Sequence, residues 1–264
     1  MTIATTSTSA ALDLSPYLAG GGLPSLHQQK VKEQIDKPIV AGIDREHNIS
    51  MITHCDATSD YLYNDYTPEP SYKKGSRPML ERIVESITTR YHTQPQQIQA
   101  MLTWVVHNTP HAGTVNCKTP SDTAPTEERM IEQGWAWCNE QGRLLVSLAQ
   151  IAGYRARMCF LFHKNAPKSH ATTEIFFNNK WVFCDPTYGL FICGDPAHPY
   201  SARELQRDPQ AKRICDDQHA RAFVTKDILR SPERIARPAK EFALNPEAHA
   251  SDYFTDFSIS NYII

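Results

Sequence analysis

The hydrophobic spacing of the chain changes period once, and that change limits the folds open to it. From Pro78 onward, Leu80, Ile83, Val84, Ile87 and Tyr91 recur at the interval of one helix face. Ile98, Met101, Leu102 and Val105 repeat the pattern up to Pro110. A third stripe follows Cys138, with Leu144, Leu145, Leu148, Ile151 and Ala152, and Gly153 stands where a C-terminal cap belongs. Beyond Gly153 the helical interval disappears. Residues 157–163, 172–177 and 180–184 are short runs rich in β-branched and aromatic side chains, which predict strands. Asn178-Asn179 separates the last two, and asparagine tolerates the left-handed backbone of a tight hairpin. Thr126 to Gln133 predicts a short helix leading into Gly134, and Ser201 with Glu204 forms a capping-box signal for a further one. The order is helices, a loop, a helix opened by a cysteine, then an antiparallel sheet, which is an α+β arrangement.

A chain of 264 residues fits one large domain or a core with decorations. Residues 1–25 are expected to be a flexible lead-in ending at Gly20-Gly21-Gly22-Leu23-Pro24. Residues 26–264 then form a single domain, with a core at about 78–195 and flanks at 26–77 and 196–264 that decorate it. The loop at 110–125, with three prolines, Gly113 and Cys117, is long enough to be read as functional or mobile. Lys and Arg number 27 against 29 Asp and Glu, giving a net charge of -2. That balance supplies no reason to expect a nucleic-acid or anionic-membrane partner. The segment Met1 to Leu12 lacks a positive n-region and an apolar h-region, and no apolar run approaches the roughly 20 residues a membrane helix needs. Seven cysteines, scattered and odd in number, suit a reducing compartment, so a cytoplasmic location is expected.

The chemistry is concentrated at three positions. A nucleophilic cysteine needs a lowered pKa, a base within hydrogen-bond reach and a third group that holds the base in the right tautomer. Cys138 lies at the start of a predicted helix, where the dipole and free amides favour a thiolate. His170 opens one predicted strand and Asp185 closes another, and neighbouring antiparallel strands bring such residues side by side. The roles parallel those of a Ser-His-Asp triad with sulfur as the attacking atom. The competing reading of each residue alone is inert: cysteines are usually core, a histidine is often structural, and an aspartate before proline is often a turn residue. That bland reading is kept for Cys55, Cys117, Cys159, Cys184, Cys193 and Cys215.

At these residues the chain resembles the transglutaminase-like superfamily, which includes transglutaminases and peptide N-glycanases. The resemblance runs through Cys138-x14-Gly153-x3-Arg157, His170-Ala171-x2-Glu174 and Trp181-x3-Asp185-Pro186-Thr187, and covers roughly residues 95 to 190. It implies a papain-like core in which the helix bearing Cys138 packs on an antiparallel sheet, with Cys138, His170 and Asp185 as the catalytic triad. It also implies an upstream tryptophan that donates to the oxyanion, a role Trp104 fits as well as it fits core packing. Trp135 and Trp137 flank the nucleophile and either wall an acyl channel or simply pack. Ala136 stands where the family usually has glycine, Thr172 where an aromatic residue is common, and Gly142 where a small alanine is usual. Gly142 costs about 1 kcal/mol against alanine inside a helix, so close approach of the sheet or of a substrate is its expected reason. Glu174 is read as structural, paired with Arg157.

The function expected is acyl transfer through a thioester acyl-enzyme, from an amide or thioester donor to an amine. The donor is small, peptidic or carrier-bound. The alternatives are a cysteine peptidase or amidase that uses water as the acceptor, and an inactive interaction module. No cofactor is expected. No metal site is expected either, since no Cys-x2-Cys pair is present.

Overall fold

The computed structural model describes Tyr63, Pro70 and residues 72–115, 126–163, 169–191, 193–195, 198–229 and 262–263. The expected lead-in at 1–25, most of the flank at 26–77 and the stretch 116–125 lie outside the described residues. Within residues 72–115 lie two helices, α1 (Pro78–Arg90) and α2 (Gln94–Asn108), each with a proline in its first turn. Proline is tolerated there because its missing N–H would have no intrahelical acceptor. A 3-10 turn at Ala112–Val115 opens the loop that the sequence leaves without structure. Next comes α3 (Glu127–Gln133), whose N-terminal amide on Arg129 donates to the Thr126 hydroxyl. Gly134 ends it at φ +76°, a backbone conformation that side chains rarely adopt. Helix α4 (Cys138–Ile151) follows, and Gly153 beyond it turns the chain at φ +88°.

The sheet is built by β1 (Ala156–His163), β2 (Ser169–Phe177), β3 (Lys180–Asp185), β4 (Leu190–Phe191) and β7 (Tyr262–Ile263), in the order β4-β3-β2-β1-β7. All four pairings are antiparallel. Asn178 and Asn179 sit at φ 49° and 60°, which is how the predicted two-residue turn joins β2 to β3. A small second sheet pairs β5 (Cys193–Asp195) with β6 (His198–Pro199). It lies, with β4, in a stretch whose sequence reads as irregular. Helices α5 (Ala202–Arg207) and α6 (Pro209–Leu229) complete the described chain. The Ser201 hydroxyl accepts from the Glu204 amide while the Glu204 carboxylate accepts from the Ser201 amide. This is the reciprocal cap the sequence predicts.

The strands alternate their side chains between two helical layers. Met158, Ala171, Ile175, Phe177, Val182 and Cys184 join the core formed with α1, α2 and α4. Cys159, Leu161 and Phe183 point the other way and pack on Ala202, Leu205, Ala211 and Cys215 of α5 and α6. The described helices of the flank after residue 196, α5 and α6, therefore pack on the sheet face opposite α4. The architecture is α+β, with the cysteine-bearing helix against an antiparallel sheet.

Candidate active site

Cys138 is the first residue of α4, half-buried and not in a disulfide. The helix entry is fixed by its own third residue, since the Glu140 carboxylate accepts from the Trp137 amide at 2.8 Å. Glu140 is otherwise buried, and burial raises its carboxyl pKa against that hydrogen bond and the charge of Arg143. Further along, a Cβ placed on Gly142 would lie 2.8 Å from Met158 Cε and 3.4 Å from the Thr172 carbonyl oxygen. Close approach of β1 and β2, one of the two reasons expected for that glycine, is present.

His170 and Asp185 are brought together by strand register. His170 lies opposite Leu161, which packs under α5 and α6. Thr173 pairs with Cys184, so Asp185 is one position further along, diagonal to His170 and on the same face. The His170 Nε2 is 2.9 Å from Asp185 Oδ2, both side chains being almost wholly buried. The hydrogen bond and charge of the Cys138 thiol act on the same ring. Burial disfavours the charged imidazole. The charge and hydrogen bond of Asp185, followed by those of Cys138, outweigh it and push the His170 pKa up to about 10. Burial likewise disfavours the Asp185 carboxylate, but the charge and hydrogen bond of His170, joined by those of His219, hold its carboxyl well below the usual range.

Asp185 is held on its other side as well. Its Oδ1 accepts from the amides of Thr187 and Tyr188 at 3.0 and 3.3 Å. The Thr187 hydroxyl donates to Gln141 Oε1 at 2.7 Å, and Gln141 Nε2 donates to the Thr109 carbonyl at 2.7 Å. One buried amide on α4 thus ties the aspartate turn to the C-terminal end of α2, one helical turn from Cys138. Tyr188 stands edge-on to His170, with ring centroids 6.1 Å apart.

Arg157 and Glu174 form the expected ion pair at 2.7 Å, both side chains 3% exposed. Its guanidinium lies 3.9 Å from the centroid of Trp181, and the free carboxylate oxygen accepts from Tyr63 and from the Ala202 amide. This is a structural clasp joining the sheet to α5. Trp104 is partly buried against the main core, where Cys138 also packs. Trp135 and Trp137 instead form a small cluster with Ala112, and Trp137 meets His111 edge-on at 5.5 Å. His111 Nδ1 accepts from the Gly113 amide at 3.1 Å. The two tryptophans therefore brace the entry to the 110–125 loop against the start of α4.

His219, on α6, places Nε2 2.8 Å from Asp185 Oδ2. No reading of the sequence singled it out; the available signal was Cys215-x3-His219, one helical turn apart. Among the described residues no group of three or more His, Cys, Asp or Glu is arranged to hold a metal ion. No helix among them is long and apolar enough to cross a membrane.

Residues 80–186 match the family model of the transglutaminase-like superfamily. No curated protein matches the chain. Among solved structures, the periplasmic domain of TgpA from Pseudomonas aeruginosa, bound to ethylmercury, is 15% identical over 46% of this chain and 48% of its own, with a TM-score of 0.38. A candidate cysteine protease from Cytophaga hutchinsonii is 15% identical over 59% of this chain and 47% of its own, with a TM-score of 0.36. A TGase is 17% identical over 50% of this chain and 37% of its own, with a TM-score of 0.35. The chain spans about half or less of the length of each.

Proposed function

We propose that this chain, a member of the transglutaminase-like superfamily through its residues 80–186, moves acyl groups through a thioester on Cys138. The observation that carries the reading is the relay of side chains: a half-buried thiol at a helix start hydrogen-bonds to His170, whose Nε2 is 2.9 Å from a buried carboxylate. An imidazole held this way keeps a proton beside sulfur, which stabilises the thiolate as an ion pair.

In the first step the Cys138 sulfur attacks the carbonyl carbon of an amide or thioester, and a C–S bond forms as the carbonyl becomes an oxyanion. The Cys138 backbone amide at the α4 terminus faces that charge, with Trp104 as the candidate for a second donor. The tetrahedral species collapses when the C–N or C–S bond to the leaving group breaks, and His170 gives its proton to the departing amine or thiolate. In the second step His170 takes a proton from the acceptor, which attacks the thioester carbonyl. The Cys138 thiolate then leaves, and the relay returns to its starting state. Asp185 keeps the imidazole oriented in both steps.

An amine acceptor gives a new amide and water gives an acid, and the same relay serves either. We assign the amine route as the principal one, the donor being small, peptidic or carrier-bound. Its test is product analysis on a panel of amide and thioester donors, with and without an added primary amine. A new amide bearing the added amine supports the transferase, and free acid alone, at a rate indifferent to the amine, identifies a hydrolase. A protein that consumes no donor in either arm contradicts acyl transfer altogether.

A further inference from the structure

Asp185 has more partners than a relay to one histidine requires. Its Oδ2 is shared by two imidazoles, His170 Nε2 at 2.9 Å and His219 Nε2 at 2.8 Å. His219 comes from α6, beyond the span that matches the family, and its side chain is 1% exposed. Its other nitrogen, Nδ1, is 2.9 Å from the Cys215 carbonyl oxygen one turn earlier. A carboxylate oxygen only accepts, so the Nε2 that meets it is the donor of that contact.

Cys215, His219 and Asp185 repeat the residue types of the proposed relay, since Cys215 Sγ is 3.5 Å from His219 Nδ1. Burial separates the two sets. Cys215 is fully enclosed, and that burial, joined by the charges of Asp216 and Asp185, pushes its thiol well above its ordinary value. It supplies no nucleophile, so His219 meets the relay through the carboxylate.

We propose that His219 is a positioning residue which, by donating to the same oxygen that orients His170, divides that oxygen's charge between two rings and sets how tightly His170 keeps its proton. The inference rests on reading Cys138, His170 and Asp185 as one relay. A carboxylate oxygen with a single donor concentrates its charge on that donor, and a second donor weakens the first. His170 must release its proton to a leaving group, so an unshared Asp185 would hold that proton too firmly. The groups that face His219 include Asp185 at the end of β3, the Tyr188 ring at 4.7 Å and Cys215 on its own helix, with Asp216 adjoining. Those that face His170 include Asp185, Cys138 and Tyr188.

The test is the ring titration of His170, followed by nuclear magnetic resonance in the full-length protein. His219→Leu removes the second donor and is expected to raise the His170 midpoint by about one pH unit, a tenfold change in proton affinity. His219→Gln keeps an amide donor near the Nε2 position and should stay closer to wild type. His219→Asn keeps a donor near Nδ1, facing Cys215, and should rise with the leucine variant. An unmoved midpoint in His219→Leu, or asparagine behaving as wild type while glutamine behaves as leucine, overturns the inference in favour of a role confined to α6. If the leucine variant does not fold, the asparagine and glutamine pair carries the same contrast. Cys138→Ser is the separate arm for the underlying relay and should lower the His170 midpoint. No change there contradicts the thiol-imidazole pair, and the His219 inference with it, whatever the His219 variants do.

Discussion

Four side chains, Cys138, His170, Asp185 and His219, come together from three separate parts of the chain, held there by three physical devices. Cys138 is placed by a helix start, His170 and Asp185 by strand register, and His219 by the packing of α6 on the far sheet face. The proposed role of His170 predicts the reactivity of its neighbour. Wild-type Cys138 should be alkylated by iodoacetamide at pH 6, well below the pKa of about 8.5 of a free thiol. In His170→Ala the onset of alkylation should move up towards that ordinary value, and acyl transfer should fall by about 10²–10⁴-fold, the usual share of a general acid-base group. Peptide mapping of the alkylated cysteine against pH checks this, and an unchanged profile in the variant contradicts the ion pair. The other described cysteines, 159, 184 and 215, are buried and serve as internal controls.

The elements that were legible in the sequence are those governed by local rules. Helices α1, α2 and α4 follow from apolar spacing, the β2–β3 turn from two asparagines, and α5 from its capping box. Strands β4 and β7 are two residues long and exist only because a neighbouring strand completes their hydrogen bonds, so no periodicity announces them. Helix α6 is mixed in charge, its buried Ala211, Cys215 and His219 forming a stripe too weakly apolar to stand out. For that reason His219 stayed hidden while Cys138, His170 and Asp185 stood out through their spacing. Gly142 was legible as an oddity but not as a contact, because the sequence does not say that Met158 crosses above it. Its position makes a prediction for α4. Gly142→Ala gains helix propensity worth about 1 kcal/mol, has to displace the flexible end of Met158, and meets the Thr172 carbonyl oxygen at ordinary contact distance. Gly142→Leu must instead displace packed sheet and should destabilise by about 1–3 kcal/mol in urea unfolding. A leucine variant as stable as wild type contradicts the close packing of α4 on β1 and β2.

Across the whole molecule, the His170–Asp185 pair is buried between two helical layers, α4 on one side of the sheet and α5 with α6 on the other. Its charges therefore bear on global stability. The His170 pKa is raised from 6.5 to about 10, so its contribution to stability is complete below about pH 6.5 and is lost as pH rises through about 10. The Asp185 pKa is lowered, so its contribution is present above the ordinary carboxylate range and is lost as pH falls through the lowered value. The gap in unfolding free energy between wild type and His170→Ala should thus be widest near pH 6 and shrink towards pH 10. A constant gap across that window contradicts the buried His170–Asp185 pair. The central claim, that Cys138 carries the acyl group, is tested most directly by intact-mass measurement after exposure to a panel of amides and thioesters. Wild type should gain the mass of one acyl group on Cys138, and Cys138→Ala should gain none. An adduct that persists in the alanine variant, or none on wild type while donor is consumed, contradicts the account.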